Sequence, residues 1–257
     1  MIGISIDSLD LLEYDFNNWD GFFEISDFCM PDRIVNINET IERLSKIIGT
    51  SKIQCIQGPI RDIKPEAMDL EIREVTKRRF VQLIDCASKH NIHNVMFFTT
   101  FDNMVKFSFY TDMWLSNNIR FWKEIIEYAK QKKVVCLYCN VWDDNPHLLL
   151  KLFNEINSDY FRFAFDIGHA YYASNISLFD WTDILKEHIS YVLVHDNNGQ
   201  MDEHLEIGEG TIPIIKLLNY ISKECKDISY CIQTFDKGKI ISSANILKKI
   251  LFESERS

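Results

Sequence analysis

Glycine and proline are scarce, at 9 and 5 of 257 residues, less than half the combined share of about 12% usual in soluble proteins. That excludes collagen-like and low-complexity chains, and it makes the position of each glycine informative. Positive charge is also short. The 28 Lys and Arg face 38 Asp and Glu, a formal net charge of −10, which repels phosphate backbones and anionic lipid surfaces, so neither a nucleic-acid nor a membrane partner is expected. No apolar run approaches the roughly 18 residues of a membrane helix. The first thirteen residues carry Asp7, Asp10 and Glu13 with no Lys or Arg, unlike a signal peptide, so a cytoplasmic protein is expected. The seven cysteines form an odd set without regular spacing. Cys55, Cys86, Cys136 and Cys231 lie within apolar runs, which predicts buried free thiols and no disulfide framework.

Apolar residues make up 46% and charged residues 26%, enough for a large core. At about 150 residues per domain the length permits two small domains or one large barrel. The pattern decides between them. Short β-rich runs recur eight times, at Ile2 to Ile6, Phe22 to Ile25, Ile53 to Gln57, Asn94 to Thr99, Val134 to Cys139, Phe161 to Asp166, Tyr191 to His195 and Tyr230 to Thr234. Helical periodicity lies between them, at Glu39 to Ile48, Leu70 to His90, Asn118 to Lys132, Pro146 to Asn157, Pro213 to Cys225 and Ala244 to Phe252. Asn145-Pro146 reads as a helix start and Gly49 as a helix stop. Apolar strands alternating with helices imply a parallel sheet covered on both sides. Eight units predict an α/β fold, a single (β/α)8 TIM barrel over residues 1–257, with a doubly wound open sheet as the alternative.

A barrel of this kind carries its site at the C-terminal strand ends. Those ends are Asp7, Ser26, Gln57, Thr99, Cys139, Asp166, His195 and Gln233. In the sixth strand, period-two alternation puts Phe161, Phe163 and Phe165 on the helix side and Asp166 on the barrel side. Asp166 opens D-I-G-H, where Gly168 permits a sharp exit and His169 can return to the same cavity. The seventh strand runs into H-D-N-N-G-Q-M-D-E-H-L-E-I-G-E-G, which gathers His195, Asp196, Asp202 and His204 within ten residues. Imidazoles and carboxylates converging from separate strands suit a divalent transition metal.

D-I-G-H-A at Asp166 to Ala170 and the run from His195 to Gly210 resemble the xylose isomerase-like TIM barrels, a superfamily of sugar and sugar-phosphate isomerases and epimerases, inosose dehydratases and endonuclease IV-type repair enzymes. Gly58-Pro59 after the third strand and the Asn140 to Pro146 segment after the fifth agree with it. The resemblance implies a divalent metal, zinc or manganese, and a small-molecule carbohydrate substrate. In the family's epimerases the metal is held by a glutamate, an aspartate, a histidine and a glutamate ending the fifth to eighth strands. Asp166 and His195 match, while the glutamate positions hold Cys139 and Gln233. Those glutamates also form the acid–base pair that moves the proton, and Gln233 cannot titrate. The third zinc site of the endonuclease branch resembles His169, Asp202 and His204, but its first site needs histidines where this chain has Gln57 and Thr99.

Two arrangements of one ion follow: His169, Asp202 and His204 together, or Asp166 and His195 assisted by the Gln233 oxygen and a Cys139 thiolate, which would favour zinc. The CxxC pair of Cys136 and Cys139 faces opposite sides of a strand, so it is not expected to act as a unit. Expected catalytic residues are Asp166, His169 and His195; metal ligands are Asp166, His169, His195, Asp202 and His204; substrate contacts are Gln57, Trp142, His169 and Gln233. The aromatic segment Thr100 to Trp114 reads as a lid or as packing against its own helix. Arg61, Lys64, Lys237 and Lys239 are the cations nearest the mouth, and Glu24 is expected to pair with Arg162 inside the barrel. The leading expectation is a metal-dependent sugar or sugar-phosphate isomerase or epimerase. Alternatives are a catalytically degenerate relative that binds a ligand or partner and a metal-dependent lyase or hydrolase; self-association into a homo-oligomer stays open.

Overall fold

The computed structural model describes residues 1–16, 18–105 and 107–254. Its eight strands are β1 (Ile2–Ile6), β2 (Phe22–Ile25), β3 (Ile53–Gln57), β4 (Asn94–Phe98), β5 (Val135–Cys139), β6 (Phe161–Asp166), β7 (Ile189–Val194) and β8 (Ser229–Ile232). They close in sequence order into a barrel in which every pairing is parallel, so the chain is a single (β/α)8 TIM barrel. The helices are α1 (Asp10–Glu13), α2 (Ile37–Ile48), α3 (Leu70–Lys89), α4 (Tyr110–Lys132), α5 (His147–Ile156), α6 (Ile167–Ala173), α7 (Leu178–Leu185), α8 (Ile214–Glu224) and α9 (Ile240–Ser254). None is long and apolar enough to cross a membrane among the described residues.

Alternation along the strands builds two apolar layers. Phe161, Phe163 and Phe165 of β6 face outward into the layer beneath the helices, with Cys136 of β5. Leu137, Cys139, Ala164, Leu193 and Cys231 fill the barrel interior. Cys136 and Cys139 therefore lie on opposite faces of β5, and all seven cysteines are free. The helices bury residues at three- and four-residue spacing: Ile37, Ile41, Leu44 and Ile48 of α2, and Ile214, Leu217, Leu218 and Ile221 of α8. Gly49 ends α2 at φ +87°, a conformation that disfavours side chains, and Asn145 Oδ1 accepts the His147 amide at the start of α5.

Several expectations are corrected. Helix α4 begins at Tyr110, not Asn118, because Tyr110, Trp114 and Asn118 are buried on its core face. Phe101 stacks on Tyr110 at 5.3 Å and meets Trp114 edge-on at 5.5 Å, so half of the aromatic segment is core packing. Phe107 and Phe109 alone stack in the open. The helical segment that the eightfold alternation implies after the sixth strand is two short helices, α6 and α7. Glu24 does not pair with Arg162, whose guanidinium donates to the Glu187 carbonyl at 2.9 Å. It lies wholly buried inside the barrel, accepting from Gln57 Nε2 at 2.6 Å and Tyr191 Oη at 2.8 Å. Burial pushes its carboxyl up, and no cation pairs with it among the described residues.

Candidate metal centre

Asp166 ends β6, wholly buried, and its side chain caps α6: Oδ1 accepts the His169 amide at 2.8 Å. The D-x-x-H spacing is thus an N-cap, and it sets His169 one turn beyond the strand end. Asp166 Oδ1 also meets His195 Nε2 at 2.9 Å, and Oδ2 lies 3.3 Å from His169 Nδ1. One carboxylate therefore orients two imidazoles. Gly168 lets them approach, because a Cβ there would stand 2.0 Å from His195 Cε1. His195 follows β7 directly and is completely buried.

The remaining members come from the long β7–α8 loop. Asp196 folds it, with Oδ1 accepting from the amides of Asn197 at 2.9 Å and Ile212 at 3.1 Å, and Oδ2 from Gly208 at 3.0 Å. An antiparallel bridge from Asp196 to Leu205 brings His204 back over the barrel. His204 takes the left-handed conformation, φ +46°, uncommon for a residue with a side chain and typical of constrained sites. Its ring stacks on His195 at 3.7 Å and on Phe235 at 4.3 Å.

Two imidazoles are aimed by backbone carbonyls. His169 Nδ1 meets the Asn140 carbonyl at 3.1 Å, and His204 Nδ1 meets that of Gln233 at 2.9 Å. A proton on each Nδ1 leaves both Nε2 atoms pointing at Asp202, at 3.3 and 3.0 Å. Ligating atoms of His169, His195, Asp202 and His204 lie within 4.8 Å of one another. Asp202 is the exposed member, so the group faces the mouth.

The same contacts shift the titrating groups. Burial disfavours charge on His169, but Asp166 and Asp202 outweigh it and hold the imidazole up at about 9. Burial would raise Asp166, yet His169 and His195 bring it down to about 2. Burial works likewise against Asp202, and its contacts with His169 and His204 hold it well below the usual carboxylate range. His195 is pushed down by burial.

Set against the expected residues, His169, His195, Asp202 and His204 converge, merging the two ligand sets drawn from the sequence. Asp166 lies beneath them, joined through His169 and His195, and its Oδ2 is buried without a hydrogen-bond partner. Cys139 is outside the group: its thiol contacts the Asn140 carbonyl at 3.5 Å, and burial pushes it far up, which removes the thiolate. Gln233 reaches the site through its carbonyl. The Gln57 amide is engaged by Glu24 and by Cys29 Sγ at 2.9 Å, below the mouth. Trp142 stands at the mouth, beneath the Arg61 guanidinium at 5.5 Å. Sequence reasoning missed the role of Asn140, whose side chain pairs with both the amide and the carbonyl of Asp166 at 2.9 Å. It also missed Phe235, which stacks on His204; the Tyr172 ring lies edge-on to His169 at 5.9 Å.

Fold and site define a TIM barrel with a histidine–aspartate cluster at its C-terminal mouth. The chain belongs to the xylose isomerase-like TIM barrel family, which matches residues 21–250. An uncharacterized protein of Methanocaldococcus jannaschii is 27% identical over 248 residues, 94% of this chain and 82% of the relative. Among solved structures, a D-tagatose 3-epimerase-like protein is 24% identical with a TM-score of 0.78, covering 99% of this chain and 98% of that one. A Thermus thermophilus protein soaked with zinc chloride is 15% identical with a TM-score of 0.79, covering 98% of each chain.

Proposed function

We propose that the chain is a sugar isomerase or epimerase that holds one divalent ion, zinc or manganese, between His169, His195, Asp202 and His204. The observation that carries this reading is the convergence of those four ligands within 4.8 Å. His195 Nδ1, buried without a hydrogen-bond partner, adds to it, since such atoms are rarely left unsatisfied. Three imidazoles and a carboxylate suit zinc or manganese. Kinship with a D-tagatose 3-epimerase-like protein and with a zinc-soaked protein supports both halves.

Such an ion supplies a Lewis acid for a sugar carbonyl. Around it Asp166 fixes the rings of His169 and His195, the Asn140 and Gln233 carbonyls fix the tautomers of His169 and His204, and Trp142 offers an aromatic face to the sugar. Asp166, His169 and His195 are the residues we assign to the chemistry, with the Gln233 side chain at the rim for a substrate hydroxyl.

Purified protein should contain close to one divalent ion per chain. In D2O it should exchange deuterium into the carbon beside the carbonyl of a ketose or ketose phosphate, with His195→Ala lowering the rate at least a hundredfold. A chain with neither ion nor exchange would overturn the reading.

A second reading is favoured by the fifth-strand position, where the buried, protonated Cys139 replaces a glutamate. Gln233 supplies no base either, so a lyase or hydrolase that needs no two-base proton transfer fits the same residues. Dehydrated or hydrolysed product without deuterium exchange selects it.

A further inference from the structure

A cavity of about 340 Å³ opens at the same end of the barrel between the segments that follow β3, β4 and β5, with Arg61, Lys64, Thr99, Asn103 and Trp142 in its lining. Its Trp142 wall stands near the metal cluster, with Tyr172 between them. Tyr172, edge-on to His169 at 5.9 Å, has its hydroxyl close enough to Trp142 to interact with it, and Trp142 lies under Arg61.

The polar groups of this cavity are unequally committed. Thr99 donates to Asp143, and Thr100 donates to the buried Glu66 at 2.6 Å. Lys64 stands 3.4 Å from Glu66 and keeps about half of its side chain in solvent. On the rim Asp62 is exposed, while Asp102 accepts the Met104 amide at 2.9 Å. Asn103 ties the wall together by donating to the Trp142 carbonyl at 3.3 Å. Arg61 is different. Its guanidinium rests on the Trp142 indole and forms no ion pair among the described residues, in a chain with ten more acids than bases, 38 against 28. An arginine held flat by an aromatic ring keeps its N–H edge free, and that edge matches the paired oxygens of a phosphate or carboxylate.

Resting on the sugar-enzyme reading, we infer that this cavity receives the anionic end of the substrate, so that the chain acts on a sugar phosphate or sugar acid, with Arg61 as the principal anion contact and Lys64 as its neighbour. The sugar carbon chain would then lie across Trp142, between the anion pocket and the histidine cluster. A neutral sugar would leave the Arg61 edge unused.

The protein carries its own reporter. Trp142 is 39% exposed while Trp19, Trp114, Trp122 and Trp181 are buried, so acrylamide quenching reads this one indole. Glucose 6-phosphate, glucuronate, glucose and inorganic phosphate would each be titrated as quenching is followed, with metal content measured on the same samples. Glucose 6-phosphate or glucuronate should protect Trp142 at concentrations at least tenfold below those glucose needs. Inorganic phosphate should compete, and the tighter of the two acids identifies the anion. Arg61→Ala should weaken the acidic ligand at least tenfold and change glucose less than twofold, with Arg61→Lys intermediate; the exposed position leaves the fold intact, as circular dichroism would verify. Equal affinity for glucose and the acids, or an Arg61→Ala variant within twofold of the parent, would overturn the inference. Anion binding that needs Arg61 in a protein without divalent ion would keep the pocket and overturn the metal reading. A bound ion without anion preference would overturn the pocket alone.

Discussion

Asp143 shows at the residue scale how this barrel sets charge against burial. It is nearly inaccessible and accepts hydrogen bonds from the Thr99 hydroxyl and, at 3.1 Å, the Val141 amide. Burial outweighs both bonds and raises the carboxyl from an ordinary value of 3.8 to about 6. The folded state therefore holds this proton more tightly than the unfolded chain, so the contribution of Asp143 to stability is greatest below pH 4, falls between about pH 4 and 6, and levels off above. The cost of the ionised form is about 3 kcal/mol at most. Asp143→Asn keeps an oxygen for Val141 and loses the charge. Urea titrations should show a flatter stability profile between pH 4 and 6, with the variant more stable than the parent at pH 8 by roughly 1 to 3 kcal/mol. Parallel profiles for parent and variant would refute the account. Glu24 acts in the same sense, since burial raises it as well.

The β7–α8 loop and the β6–α6 junction carry the site at the element scale, and they were unequally legible. The strands could be located because apolar runs end on polar residues. Their alternation placed Asp166 inward correctly, since a parallel strand has only two faces. The D-I-G-H signal identified His169 but not α6, because seven residues containing a glycine carry too little periodicity to register as a helix. The two carbonyls that aim His169 and His204, those of Asn140 and Gln233, belong to the backbone, which every residue possesses, so side-chain identity could not reveal these contacts. The substitutions by Cys139 and Gln233 were visible at once, whereas the merging of two ligand sets into one depended on how Asp196 folds the loop. That dependence is testable. Asp196→Ala strands three amides, of Asn197, Gly208 and Ile212, at about 1 to 3 kcal/mol each and less than additively. Chemical unfolding should register a loss of roughly 3 kcal/mol, and zinc affinity should fall at least tenfold because His204 sits on the same loop. Asp196→Asn should recover part of both. Unchanged zinc affinity in the alanine variant would show that the loop does not hold His204 in place.

At the scale of the whole molecule, the ligands come from β7 and from segments that meet only when the barrel closes: His169 on α6, His195 after β7, and Asp202 and His204 on the β7–α8 loop. An unfolded chain scatters them, so an ion that binds the cluster binds the native state, and its binding free energy adds to folding stability. The net charge of −10 acts in the same direction, because a divalent cation offsets part of the self-repulsion of an acidic protein. With the free ion at a hundred times its dissociation constant the gain is about 2.7 kcal/mol. For a chain of this size that corresponds to a rise in Tm of about 5 to 10 °C. Scanning calorimetry with zinc or manganese should show that rise, and a chelator should reverse it. His204→Ala should abolish most of the rise while leaving the metal-free Tm within a few degrees of the parent, since removing one ring from a loop costs the barrel core little. Arg61→Ala, on the far side of the mouth, should retain the full rise. A melting temperature indifferent to either metal, or a rise that survives in His204→Ala, would place any bound ion elsewhere than at the histidine cluster.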